Sequence, residues 1–270
     1  MNATANGTAA PVPTILACLA RDRARALVKH AFPRRRARLL VARGPEEFAR
    51  TFGDTLVDAA IVDVAAAAEE QWTAAALARD YPSVPFFGLL PLRVAEGGAV
   101  AQCVSLGFAD VLAEGIDDPV MRDLVLPAGF TARFARALAE PPVSLGLESP
   151  LQRGAWSAIV AHAGRPVRTA FLANRLAVSR EHLSRSFAAE GGANLKRVID
   201  LVRLIAAAEL SKNPGHDVRD VARVLEFASA SHLSSTAQRV VGTRPSALAR
   251  LRTVDLVDRF TNGHSRSRTG

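Results

Sequence analysis

Short apolar runs alternate with amphipathic stretches over the first half of the chain. Five runs have the length of buried strands and cover residues 15–20, 38–42, 59–64, 84–90 and 109–113. Helical apolar spacing fills the stretches between them, at residues 22–31, 45–52, 69–80 and 96–106, and again within 121–139, where Pro127 and Gly129 interrupt it. This alternation predicts an α/β domain built on a five-stranded parallel sheet with helices on both faces.

The pattern becomes helical throughout after Pro141 and Pro142. Residues 142–148 are a predicted linker, and Ser149 with Pro150 has the residue types favoured at the start of a helix. An all-α domain is therefore predicted over 149–252, following the α/β domain at 14–141. Residues 1–13 are predicted as a disordered tail and residues 253–270 as a polar, basic tail.

Residues 172–195 have the pattern of a helix, a tight turn and a second helix. Ser179 is the predicted N-cap of the second helix, which runs to about residue 190 and has Leu183 and Phe187 on one apolar stripe. The other face carries polar side chains, namely Arg180, Glu181, His182, Ser184 and Arg185. A short helix of this kind fits the major groove, so double-stranded DNA is the predicted partner.

A related pattern follows. A long periodic helix over 195–210 is stopped by Asn213-Pro214-Gly215. Asp217 can cap a further helix, Ser229 or Ser231 opens another, and Gly242 can end it.

From Val167 to Arg250 the chain resembles the AraC/XylS family of bacterial transcription regulators. The matching positions are Leu172-Ala173, Ser179, Leu183-Ser184-Arg185, Phe187, Gly192, Arg203, Ala207, Leu210, Val221-Ala222, Phe227, Ser231, Gly242 and Pro245. The resemblance implies two helix-turn-helix units joined by one helix. It implies DNA contacts from Ser179, Arg180, Glu181, His182, Ser184 and Arg185 in the first unit, and from Ser229, Ser231, His232, Ser235 and Arg239 in the second.

The chain departs from that family at two positions. Glu226 stands where the family usually has Gly, and Ala237 stands where it has an aromatic residue. The second reading helix is also rich in Ser and Ala, so we expect the first unit to supply most base discrimination and the second mainly to position the protein. Arg203 lies beside an apolar face and is predicted to be structural. His182 and His232 are equally compatible with packing or solvation.

The first half resembles the receiver domain of bacterial response regulators in three short segments, residues 59–64, 81–85 and 106–112. The resemblance implies that Asp63 occupies the phosphoacceptor position. Its expected partners are missing, because Leu90 and Glu114 stand at the hydroxyl and lysine positions and Asp22, a predicted helix cap, is the only acid after the first strand. Mg²⁺ requires a cluster of oxygen ligands. We therefore expect a pseudo-receiver in which Asp63 pairs with Arg21, with no metal and no cofactor.

Charge separates the two halves. Residues 142–270 contain 19 Lys or Arg against 10 Asp or Glu, whereas residues 1–141 contain 15 against 16. Localised positive charge favours nucleic-acid binding. The sequence has neither a signal-peptide pattern nor an apolar run of about 18 residues, and its two cysteines, Cys18 and Cys103, have apolar neighbours. These features predict a cytoplasmic protein without contact to a membrane. The sequence resembles no nucleotide-binding loop, metal site or nucleophile–base pair, so we expect no enzymatic activity.

Three functions remain open from the sequence. The leading hypothesis is a sequence-specific transcription regulator whose residues 14–141 form a homodimer or bind a protein partner. A response regulator driven by phosphorylation of Asp63 is the first alternative. The second is an interaction module with weak DNA binding, which Glu226 and the serine-rich second helix motivate.

Overall fold

The computed structural model describes residues 11–65, 69–93, 96–188 and 193–266, which divide into two units. The α/β unit contains Val12–Arg133 together with Lys212–Val224. The helical unit contains residues 134–211 and 225–266 of the described chain. No helix in the described ranges is long and apolar enough to cross a membrane.

The α/β unit is built on a parallel sheet of five strands: β1 (Thr14–Cys18), β2 (Arg38–Ala42), β3 (Ala59–Asp63), β4 (Phe86–Pro91) and β5 (Asp110–Glu114). Their spatial order is β2-β1-β3-β4-β5, with β2 and β5 at the edges. This is the doubly wound order of receiver-like folds. After β2 is added on one side of β1, the later strands are added on the other side, beginning with β3. The predicted fold class is confirmed.

Helices cover both faces of this sheet: α1 (Asp22–Ala31), α2 (Pro45–Asp54), α3 (Glu69–Ala76), α4 (Gly97–Ser105) and α5 (Met121–Ala128). A sixth helix, α6 (Phe130–Ala137), follows the predicted break at Gly129. One core contains the rings of Phe48, Phe52 and Phe86, and it also holds both cysteines. Cys18 and Cys103 are free and buried, and burial raises the pKa of each thiol to about 11.

The segment Lys212–Val224 completes the α/β unit, although it lies far from the rest of that unit in the sequence. Asn213 is buried, accepts a hydrogen bond from Ser83 N at 2.9 Å and donates one to Ser83 Oγ at 2.7 Å. Gly215 lies against the Tyr81 ring so closely that a Cβ would be 2.6 Å from Tyr81 Cζ. The helix that follows, α11 (Val218–Val224), packs against α2.

The helical unit is organised around α10 (Leu195–Leu210), which is buried along most of its length. It packs against α7 (Pro150–Val160), α9 (Arg180–Ala188), α12 (Ala230–Val241) and α13 (Thr253–Arg266), and the remaining helix is α8 (Thr169–Arg175). The predicted start of α7 is confirmed by a complete capping box between Ser149 and Gln152.

The prediction of a polar tail over residues 253–270 is wrong for residues 253–266, which form α13. Leu256, Val257 and Phe260 are buried, because their spacing places them on one face of this helix. The predicted tail at 1–13 falls largely on residues 1–10, which lie outside the described residues, as do Gly192 and the predicted end of the second helix at 190.

Glu226 has a left-handed backbone, with φ 54°, at the turn where the resemblance implies glycine. An L-residue other than glycine pays about 1–2 kcal/mol for this conformation. The Glu226 side chain is exposed, so its removal costs no packing.

We therefore expect Glu226→Gly to raise the free energy of unfolding by about 1 kcal/mol, measured from urea denaturation of the full chain. Ala228→Gly is the matched control, because Ala228 is also exposed and has no positive φ. A gain in the control equal to that in Glu226→Gly would contradict backbone strain as the cause.

Candidate nucleic-acid interface

The first reading helix, α9, is anchored through one apolar stripe. Leu183 and Phe187 are fully buried, and the preceding helix α8 buries Leu172 against them. Ser179 caps α9 as predicted, because its Oγ accepts a hydrogen bond from His182 N at 3.0 Å. Burial of one stripe leaves the opposite face of α9 to solvent.

That opposite face carries the polar side chains predicted for DNA contact in the first unit, apart from the cap residue Ser179. Arg180, Glu181, His182, Ser184 and Arg185 are all exposed. Hydrogen bonds from its own backbone N–H and from Ser179 lower the pKa of Glu181. The face thus offers guanidinium donors, which suit guanine and phosphate, beside a carboxylate that can accept from cytosine.

The second reading helix, α12, is built in the same way with different chemistry. Ser229, rather than Ser231, is its N-cap, and Ser229 Oγ accepts a hydrogen bond from His232 N at 3.0 Å. Ser231, His232 and Ser235 are exposed, and the His232 ring lies edge-on to the Phe227 ring at 5.7 Å. Short hydroxyl side chains dominate this face, so it has little capacity for bidentate base contacts.

Arg239 on α12 is already paired within the protein. Its Nη2 lies 2.9 Å from Asp200 Oδ2, while the arginine side chain is 53% exposed. This ion pair competes with the phosphate contact that the resemblance implies, and the DNA role of Arg239 stays a prediction. Asp200 lies 39 residues before Arg239 in the chain, so no local sequence pattern predicts this pair.

Sequence reasoning missed one residue of the second face. Gln238 is exposed and lies seven positions after Ser231, so the two share a side of α12. Its amide can both donate to and accept from an adenine edge. The helical spacing from Ser231 was the signal that could have found it.

Arg203 is structural, as predicted. It is 7% exposed, its Nε donates to Gly164 O at 3.1 Å and its Nη2 donates to Leu225 O at 2.9 Å. The guanidinium also lies over the Phe227 ring, 3.7 Å from the centroid. Burial lowers the pKa of Arg203, while the charges of Asp200 and Glu226 act in the opposite direction.

A second polar centre lies at the carboxyl edge of the sheet, where Asp63 is fully buried. Arg21 Nη2 donates to Asp63 Oδ1 at 2.8 Å, and the backbone N–H of Arg21 donates to Oδ2 at 3.1 Å. The same Nη2 also donates to Glu114, which is buried as well. Burial acts to lower the pKa of Arg21, but hydrogen bonds with both carboxylates raise it overall. The predicted Arg21–Asp63 pair is thus confirmed.

This centre has none of the surroundings of a metal site. Among the described residues, no group of three His, Cys, Asp or Glu side chains is placed to hold an ion. Asp22 was predicted as a helix cap, and that prediction is wrong. Arg21 occupies the cap position, and Asp22, the first residue of α1, is exposed and pairs with Arg25 at 2.7 Å.

The chain is similar to a family model and to solved structures. Residues 172–251 match a family model described as a helix-turn-helix domain. The crystal structure of full-length FixJ from B. japonicum is similar, with 11% identity over 84% of this chain and 96% of that chain and a TM-score of 0.38. A response regulator protein from Burkholderia pseudomallei, solved with a phosphorylated aspartic acid, is 16% identical over 64% of this chain and 97% of that chain, with a TM-score of 0.37. No curated protein matches the chain.

The exposed polar faces of α9 and α12, their buried stripes and the matched family model point to one kind of domain. A regulator of transcription reads DNA through helices of this construction. Residues 172–251 therefore form a DNA-binding helix-turn-helix domain of the AraC type, in a chain that also has a receiver-like α/β unit.

Proposed function

We propose that this chain is a sequence-specific transcription regulator that acts without phosphorylation of Asp63. The observation that carries the proposal is the exposed face of α9, where Arg180 and Arg185 have no carboxylate partner within ion-pair distance among the described residues. Guanidinium groups on the exposed face of a helix are the commonest means of reading guanine in the major groove. The second unit, with short hydroxyl side chains and a paired Arg239, mainly positions the protein.

Arg180→Ala and Arg185→Ala are each expected to weaken binding to the preferred site about tenfold, because one base or phosphate contact is lost. The preferred site is first identified from the genomic fragments that the full chain retains at near-physiological salt. Affinity is then measured by fluorescence anisotropy over a series of salt concentrations. A lost phosphate contact reduces the log–log salt slope by about one unit, whereas a lost base contact changes base preference.

Arg259→Ala is the matched control, because Arg259 is an exposed helical arginine outside residues 172–251. Equal losses in all three variants would contradict the reading role of α9. Weak binding without any sequence preference would favour an interaction module instead.

The proposed independence from phosphorylation rests on hydrogen bonds that already engage both carboxylate oxygens of Asp63. Both of its oxygens accept hydrogen bonds from Arg21, and Oδ1 also accepts one from Ala65 N at 3.3 Å. A phosphoacceptor needs a free oxygen for attack and a bound Mg²⁺ to neutralise the phosphoryl charge. Leu90, at the position implied for the hydroxyl side chain, is buried and apolar.

We expect no phosphoryl group to be added when the purified chain is incubated with acetyl phosphate and Mg²⁺, as judged by intact mass. A receiver protein that accepts phosphate from the same donor serves as the positive control. A mass increase that is present in the wild type and absent in Asp63→Asn would overturn this part of the proposal.

Dimerisation through the α/β unit is supported by α4, which contains no charged residue. Val104 is 70% exposed there, and Leu92 and Ile116 are 68% and 59% exposed. The central residues of protein–protein interfaces are typically depleted in charged side chains. An uncharged face with exposed apolar side chains can pack against a second copy of itself, as a twofold dimer requires.

Val104→Glu is expected to weaken self-association at least about tenfold, because a buried unpaired carboxylate opposes dimer formation. Sedimentation equilibrium of the full chain measures the effect. Ala26→Glu, at an exposed position of α1, is the control. A dimer that survives Val104→Glu, or a monomeric wild type, would exclude this surface.

A further inference from the structure

The near-neutral balance of residues 1–141 hides a strong separation of charge within them. Residues 21–43 hold nine of the fifteen basic residues in that half and only one of its sixteen acids, Asp22. The basic stretch covers α1, the connection after it and the edge strand β2. A local excess of this size creates a positive field over one side of the α/β unit.

The basic residues of this stretch fall into two groups. Arg21, Arg23 and Arg25 form ion pairs with Asp63, Glu114 and Asp22. The six later ones make no ion pair with any carboxylate in the described part of the chain, and all of them are exposed, namely Lys29, Arg34, Arg35, Arg36, Arg38 and Arg43. Five like charges within ten residues repel one another, so an anion that binds between them relieves this repulsion.

An apolar cavity of about 770 Å³ opens beside three of these cations. Its walls include Phe32, Pro33, Leu39 and Val41, contributed by the end of α1, the connection and the edge strand β2. Lys29, Arg34 and Arg38 also line it, and none of the described residues that line it is a carboxylate. Arg35 and Arg36 belong to the same connection but do not line the cavity.

We propose that this cavity binds a small amphiphilic anion, a molecule with an apolar body and a carboxylate, sulfonate or phosphate head. The volume lies within the range of about 300–1,000 Å³ typical of small-molecule sites. The apolar walls reward burial of the body at about 25 cal/mol per Å², and the cations recognise the head through charge-assisted hydrogen bonds. A neutral apolar molecule leaves three like charges uncompensated, and a simple inorganic anion leaves the walls unfilled.

The proposal does not depend on DNA binding, and a matched pair of dyes tests it on the full chain. Anilinonaphthalene sulfonate has an apolar body and one anionic head, whereas Nile red is apolar and neutral. Fluorescence titration is carried out on the wild type and on two double variants, Arg34→Ala with Arg38→Ala and Arg35→Ala with Arg36→Ala. Each variant removes two exposed arginines from the same stretch, so their net charges are equal.

The pair Arg34→Ala with Arg38→Ala is expected to raise the Kd of the sulfonate dye about tenfold, the equivalent of about 1.4 kcal/mol. The pair Arg35→Ala with Arg36→Ala should change it less than threefold, by an order-of-magnitude estimate of screened surface charge. Unchanged thermal unfolding of both variants shows that the fold is kept.

Two results would overturn the proposal. Equal weakening of sulfonate-dye binding by both double variants would mean that the connection between α1 and β2 attracts anions through net charge alone. If Nile red bound at the same cavity as tightly as the sulfonate dye, the cations would make no contribution to ligand binding. Leu39→Asn provides an independent check, since loss of an apolar wall should weaken the sulfonate dye while leaving its attraction to the arginines intact.

Discussion

The α/β unit depends on the neutralisation of two buried carboxylates. Asp63 ends β3 and Glu114 ends β5, and burial of each charge costs several kcal/mol unless a cation pairs with it. Arg21, just after β1, donates to both carboxylates, and Arg23 supplies a second positive charge 3.4 Å from Glu114. The arrangement requires three strand ends at one edge of the sheet, which parallel strands provide.

The helical unit meets a similar requirement with backbone atoms instead of carboxylates. Arg203 is buried, and its donors are satisfied by carbonyl oxygens of Gly164, Leu225 and Glu226. Gly164 and Glu226 both have positive φ, so these turns direct their carbonyls toward the guanidinium. One side chain of α10 therefore ties the chain ahead of α8 to the chain ahead of α12.

Local patterns in the sequence predicted what depends on local physics. Alternating apolar runs predicted the sheet, and the missing partners of Asp63 predicted its pairing with Arg21. Long-range features escaped, because the pair of Asp200 and Arg239 joins positions 39 residues apart. The basic stretch at 21–43 was missed because the net charge of residues 1–141 is near zero. The apolar stripe of α13 was missed because polar residues surround it in the sequence.

The membership of Lys212–Val224 in the α/β unit makes that unit discontinuous along the gene product. Residues 142–148, predicted as a linker, belong to the helical unit, where Leu145 and Leu147 are buried. A chain break there would leave Tyr81 and Ser83 on one polypeptide and their hydrogen-bonding partners Gly215 and Asn213 on the other. Neither fragment would then carry a whole folding unit. The two folded units therefore do not coincide with the two halves of the sequence. Each half contributes residues that stabilise the unit formed mainly by the other half.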